Sequence, residues 1–338
     1  MLITLLLATP LANAVETSFT LAGFGQSSLA VGLRDGDVAF EGIGFSPIFA
    51  WREGERVLAE AELEFNDSAD GLDVGLEYAS VSLDTGGPVV TVGKFLSPTG
   101  HFMVRLHPSW INKLTDFPLP YRVGPLPMNH VGVQAQQVFT PSFVDRIALI
   151  GWVDNGPSGA DGAPSVAAQI GDNNRGKGVG GRLAVMPVPQ IELAASTYTG
   201  AYTNAGDERY LYTGADGSWT HHNWLDLRGE YIRARWTGGL FQGAWAQAAW
   251  RLHQVHALAR FEPVARFGWA AGDSVELAVG EEEGHGHGGG GSLNGVPLYE
   301  VCGGLNTYLR SNVVIKGSFT HQVESYDPTV RVAVAVGF

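Results

Sequence analysis

Residues 330–338 read VRVAVAVGF. Val330, Val332, Val334, Val336 and Phe338 fall on every second position, with Arg331, Ala333, Ala335 and Gly337 between them. A period of two marks a β-strand with one apolar face. A bulky aliphatic face backed by Arg, Ala and Gly suits a wall with lipid on one side and water on the other.

Other segments repeat the pattern. RVLAEAELEF (56–65) puts Val57, Ala59, Ala61, Leu63 and Phe65 on one face and Leu58, Glu60, Glu62 and Glu64 on the other. A charge at the centre of a bilayer costs about 2.5 kcal/mol or more, so the three carboxylates must face water. GLDVGLEY (71–78) sets Leu72, Val74, Leu76 and Tyr78 against Asp73 and Glu77. NWLDLRGEY (223–231) turns Asp226, Arg228 and Glu230 inward. ARFEPVARFGW (259–269) does the same with Arg260, Glu262 and Arg266, and NVVIKGSFTHQ (312–322) with Lys316, Ser318 and Thr320. The predicted lumen wall is therefore Glu60, Glu62, Glu64, Asp73, Glu77, Arg228, Glu230, Arg260, Glu262, Arg266 and Lys316.

Breakers fall between the runs. Short ones lie near 53–54, 84–87, 140–142, 187–189, 220–223, 253–256 and 310–312. Longer or more polar ones lie near 33–37, 66–70, 96–128, 154–176, 201–208, 236–239, 271–297 and 324–328. The two sets alternate, which predicts an all-β transmembrane antiparallel β-barrel of 16 strands with both termini on one side. Composition agrees: 46 Gly, only 16% charged residues and 10% aromatics, with no apolar run of helix-spanning length. Leu2–Ala8 is apolar and Ala12-Asn13-Ala14 is a cleavage pattern. Residues 1–14 thus read as a secretory signal and 15–338 as the barrel. The single Cys302 excludes an internal disulfide, and a net charge of −13 argues against nucleic acid.

Several stretches resemble segments of phosphate-selective-porin-like outer-membrane proteins: GKFLSPTG (93–100), NRGKGVGGRLAVMP (174–187), DLRGEYI (226–232), LARFEPVARF (258–267) and GGLNTYLRSNVVIKGSF (303–319). The terminal VRVAVAVGF resembles the strand that the barrel-assembly machinery recognises, with Phe338 as its signal. The resemblance implies a trimeric diffusion channel for small hydrophilic solutes or ions in the outer membrane of a Gram-negative bacterium, surrounded by lipid and needing no cofactor. The family's phosphate selectivity does not carry over, because the clearest inward row here is acidic.

The segment 96–128 is predicted to be the third outside loop, folded inward to narrow the pore. Pro98, Pro108, Pro118, Pro120 and Pro125 stiffen it, leaving little helix beyond a turn around SWINKL (109–114). Arg105, Lys113, Asp116 and Arg122 are its constriction candidates. GEEEGHGHGGGG (280–291) offers carboxylate and imidazole ligands but reads as an outside loop rather than a metal site, since so many glycines are costly to order. His221-His222 reads as a turn. No nucleophile, base and orienting acid share a phase on neighbouring strands, which argues against an enzyme. The rival to a porin is a loop-plugged barrel that sleeves a partner protein, with an enzyme as the third reading.

Overall fold

The structure is a computed structural model that describes residues 16–34, 36–68, 71–160, 163–166, 170–222, 224–253, 255–273, 295–323 and 328–338. The signal segment 1–14 and the 280–291 tract lie outside those residues. Strands β1 (Thr17–Gly32), β2 (Val38–Glu53), β3 (Val57–Ser68), β4 (Gly71–Asp84) and β5 (Val89–Leu96) lead into the long loop. That loop holds two helical turns, α1 (Phe102–Arg105) and α2 (Leu119–Val123). Then come β6 (Asn129–Phe139), β7 (Arg146–Asp154), a small hairpin β8 (Ser158–Ala160) and β9 (Ala163–Ser165), and β10 (Gly178–Val188). β11 (Ile191–Ala201), β12 (Arg209–His221), β13 (Leu225–Trp236), β14 (Gly239–Trp250), β15 (Phe261–Gly272), β16 (Leu298–Arg310), β17 (Val313–Gln322) and β18 (Thr329–Gly337) complete the chain.

Each barrel strand pairs antiparallel with its neighbours in sequence, and β1 pairs with β18, so sixteen strands close into a barrel. Closure matters because a strand edge in lipid would leave backbone N–H and C=O groups without partners. All fifteen connections fall where the breakers place them. The β8–β9 hairpin inside the 154–176 connection leaves no periodic signal in the sequence. No helix among the described residues is long and apolar enough to cross a membrane; the strands do so.

β18 behaves as its alternation requires. Val332 and Val334 are exposed on the outer surface, whereas Ala333 and Ala335 are buried inside. The seam runs from Phe24 opposite Gly337 to Gly32 opposite Thr329. Phe338 extends it: its N–H donates to the Gly23 carbonyl at 2.9 Å, and Gly23 N–H donates back to the Phe338 carbonyl at 3.1 Å. Its ring stacks on Phe45 at 5.5 Å. Residue 23 must be glycine, because a Cβ there would lie 2.6 Å from the Phe338 ring and 2.5 Å from the Ser46 carbonyl. Deleting Phe338 removes the last pair of the seam and its aromatic stack, and Phe338→Asp puts a charge where the ring meets Phe45. Both variants are expected to lower the outer-membrane amount of heat-modifiable barrel several-fold. Wild-type amounts on a gel of unboiled membranes would refute this.

One departure from simple alternation lies between β3 and β4. The register slips between Glu62 and Leu63, so Tyr78 sits opposite Glu62 and Leu63 opposite Leu76. The bulge turns Tyr78 to the inside, beside Glu62, where strict alternation from Leu76 predicts it outside.

Candidate functional site

The segment 97–128 lies inside the barrel. Its two helical segments fall at 102–105 and 119–123, and the turn expected around SWINKL is present, with the N–H groups of Ile111 and Asn112 both donating to the Pro108 carbonyl at 2.9 Å. Pro118 and Pro120 start the second, at positions where a missing N–H costs nothing.

Glu230 holds the base of the loop. Its Oε1 accepts the backbone N–H groups of His101 and Phe102, the latter at 2.7 Å. Its Oε2 accepts the Tyr121 hydroxyl at 2.7 Å and Trp245 Nε1 at 3.1 Å. Gly100 takes a φ of +82°, and a Cβ there would lie 2.7 Å from the Tyr121 hydroxyl. Glycine is therefore required where the loop turns beneath Glu230.

The middle of the loop is tied to the last four strands. Lys316 donates its ammonium to the carbonyls of Ser109 and Asn112. Asn306 Nδ2 donates to the Lys113 carbonyl at 2.9 Å, and Lys113 pairs with Glu262 at 3.0 Å. Thr115 and Ser318 share a hydrogen bond of 2.5 Å. Asp116 accepts from Thr320 at 3.0 Å and pairs with Arg331 at 2.9 Å. Arg266 Nη1 donates to the Asp116 carbonyl at 2.9 Å, and Arg122 pairs with Glu300. Across the lumen, Arg105 reaches Glu192 on β11 at 2.7 Å, and His107 lies 3.9 Å from Glu62 on β3.

Of the four constriction candidates, Lys113, Asp116 and Arg122 are thus spent on the wall, with side-chain exposures of 17%, 2% and 16%. Arg105 keeps 49%. On the wall, Glu62, Glu64, Glu77, Glu230, Glu262, Arg266 and Lys316 are buried inside, and Glu60, Asp73 and Arg228 are half-buried. Arg260 keeps the phase of the inward row, its carbonyl accepting the Tyr308 N–H at 2.8 Å, but lies just before the strand. The helical turn His256–Leu258 delays β15 to Phe261, which leaves Arg260 exposed in the turn before it. His221 and His222 are turn residues, their rings joined by a 2.8 Å Nδ1–Nε2 contact.

Sequence reasoning missed two features. One is an apolar cluster of Phe102, Met103, Leu106, Leu119 and Tyr121 from the loop, packed on Tyr198, Tyr210, Tyr212, Phe241 and Trp245 of the wall. The period-two tyrosines 210 and 212 were its only trace in the sequence. The other is a Ser–His–Asp chain. Ser97 Oγ lies 3.0 Å from His130 Nε2, and His130 Nδ1 pairs with Asp154. Asp154 Oδ1 is held by Gly156 N–H at 2.7 Å and the Tyr198 hydroxyl at 3.0 Å. The strand ends bring these residues together, so no local motif announces them. The arrangement has the polarity of a catalytic triad. Ser97, however, is fully buried, and its hydroxyl is shared with Thr99 at 2.7 Å. His130 packs between Phe95 and Trp152. No acyl group reaches Oγ in this state, and the chain fastens the start of the loop to β6 and β7.

His107 carries a pH dependence. Burial lowers its pKa, but the carboxylates of Glu62, Glu77 and Glu64 outweigh burial and raise it above the usual value. The imidazolium is therefore bound more tightly in the folded state. Its contribution is complete below the unfolded value of about 6.5 and is lost as pH rises through the higher folded value. Between pH 6 and pH 9 the melting temperature in detergent is expected to fall more for the wild type than for His107→Gln. Parallel curves for the two proteins would refute the assignment.

Comparison with known proteins gives the fold. The chain aligns with a loop-L8-deleted OmpT, an outer membrane protein of Vibrio cholerae, at a TM-score of 0.65 and 10% identity, covering 95% of this chain and 99% of that one. This is the porin fold. The anion-selective porin from Comamonas acidovorans aligns at 0.64 and 11% identity, covering 96% of this chain and all of the other. Salmonella typhi OmpF, solved with daunomycin, aligns at 0.63 and 12%, covering 95% and 97%. No family model and no curated protein matches the sequence. The porin part of the sequence resemblance is thus matched in architecture, while nothing among these neighbours singles out the phosphate-selective branch.

Proposed function

We propose that the chain is a general porin of the Gram-negative outer membrane, through which small hydrophilic solutes or ions diffuse passively. The observation that supports this reading most is the third loop, held inside a closed sixteen-strand barrel by polar contacts to facing walls. Such a loop narrows a lumen at a fixed height and lines the remaining passage with charge. Arg105 and Arg228 face the passage on one side; half-buried Glu60 and Asp73 face it on the other, with Glu62, Glu64 and Glu77 buried between wall and loop. The remaining inward charges fix the loop. A homotrimer accords with the fold, since one solved OmpT neighbour is described as a trimer form.

A second reading has its own support. The apolar cluster between loop and wall fills part of the lumen as a plugged, partner-binding barrel would. Single-channel recording in planar bilayers separates the two. A porin gives stepwise, ohmic conductance from purified protein alone. A barrel that stays silent, while intact by heat-modifiability, would overturn the porin reading in favour of the plugged one.

A further inference from the structure

Beside the helical turn 102–105 lies a cavity of about 320 Å³, bordered by His101, Arg105, Glu192, Ser218, Thr220 and Arg228. This is the lower end of the range for small-molecule sites. We propose that it binds a small zwitterionic solute of the free amino acid class during passage. The proposal rests on the porin reading for its route of access and on the cavity's own chemistry for its ligand.

Two guanidinium groups reach the cavity from different elements. Arg105, on the loop, uses Nη2 on Glu192 at 2.7 Å. Arg228, on the wall, uses Nε on Asp226 at 2.7 Å and Nη1 on His101 Nε2 at 2.8 Å. Among the described residues Arg105 Nε and Nη1 and Arg228 Nη2 remain as donors suited to a carboxylate. His101 adds another. Burial, then Arg228, Arg105 and Arg182, pushes its pKa down to about 2, so the ring is neutral. Because Nε2 accepts from Arg228, the ring proton sits on Nδ1, which is buried and has no hydrogen-bond partner among the described residues.

The same cavity offers acceptors for an ammonium group. Glu192 Oε1 is buried without a hydrogen bond, its nearest cation being Arg182 Nη2 at 3.5 Å. The Ser218 and Thr220 hydroxyls border the space beside it. A donor with no hydrogen bond among the described residues and an acceptor held only by a long ion pair, on one small cavity, call for a ligand that carries both signs.

Charge balance points the same way. Arg105, Arg182 and Arg228 stand against Glu192, Asp216 and Asp226. A solute of single sign meets repulsion from one set, whereas a dipolar solute orients between them. A metal ion does not fit. His101, Glu192 and Asp216 bring ligand atoms within 4.8 Å of one another, but Arg182 holds both Asp216 oxygens at 2.5 and 2.8 Å. A dication there would face three guanidinium groups.

The test uses the full-length chain in detergent, titrated calorimetrically with L-serine, glycolate and ethanolamine. The last two carry only one of the two charges. Saturable serine binding is expected, at least about tenfold tighter than either analogue. Arg105→Gln, at a largely exposed side chain, should weaken it about tenfold. Arg228→Gln should do the same, with heat-modifiability reporting that each variant is folded. Equal binding of glycolate would replace the proposal with an anion site; absence of saturable binding, or an Arg105→Gln protein that binds normally, would overturn it. Conductance is measured on the same preparation. A conducting channel without serine binding sinks the subsite and leaves the porin reading. Serine binding without conductance does the reverse.

Discussion

Glu230→Leu should raise single-channel conductance several-fold. The carboxylate accepts four donors at the base of the loop: His101 N–H, Phe102 N–H, the Tyr121 hydroxyl and Trp245 Nε1. All five residues lie in the buried part of the lumen. A leucine leaves those donors without an acceptor, at about 1–3 kcal/mol each when water cannot reach them. The cheapest relief is for the loop base to lift from the wall until water solvates the freed groups. That opens the space the helical turns now fill. The barrel itself is held by strand pairing and should persist, so the variant should still run as a compact band without boiling. Glu230→Gln keeps one acceptor oxygen and should show a smaller increase with more open-state noise. Unaltered conductance in a folded Glu230→Leu protein would mean that the loop does not set the pore.

Glu230 also shows what was legible in the sequence. Its place on the inward face follows from the alternation of 225–231, as does that of Glu262, Arg266 and Lys316. Period two fixes a face because a one-residue slip would drive every charge into lipid. What a face touches is another matter. Lys316 caps loop carbonyls some two hundred residues away in sequence, and nothing local records that contact. The prolines of 96–128 marked the loop as stiff, yet the helical turns form where Pro118 and Pro120 permit them and where Glu230 caps the backbone at 101–102. Arg260 falls just outside its strand for a related reason. Alternation alone cannot say where a strand starts, and the helical turn 256–258 ends only two residues before it. Tyr78 was reversed by a bulge, which breaks parity without a composition signal. Ser97, His130 and Asp154 come together only because β5, β6 and β7 are neighbours with staggered ends.

Ion selectivity is expected to be cationic, and its carriers are on β3 and β4. Four basic groups inside the barrel are paired with acids where they stand, Arg182 with Asp216, Arg122 with Glu300, Lys113 with Glu262 and Arg331 with Asp116, while Lys316 is held by loop carbonyls. Across the lumen, Glu60, Glu62, Glu64 and Glu77 gather on two strands, and His107 is the basic loop group that faces them. Their combined field should enrich cations in the passage, which it reaches through half-buried Glu60 and from the buried Glu62, Glu64 and Glu77 behind it. Mobile salt screens over about 10 Å at 0.1 M, so the effect belongs to the narrow section and to dilute solutions. Glu62→Gln combined with Glu64→Gln should lower the potassium-over-chloride permeability ratio about two- to threefold at 0.1 M, and progressively less as salt is raised. Reversal potentials across a salt gradient measure this directly. His107→Gln, which removes the facing cation, should move the ratio the other way at acidic pH. A wild-type channel that already prefers chloride at low salt, and is indifferent to both glutamate changes, would transfer selectivity to Arg105 and Arg228 on the opposite side of the loop.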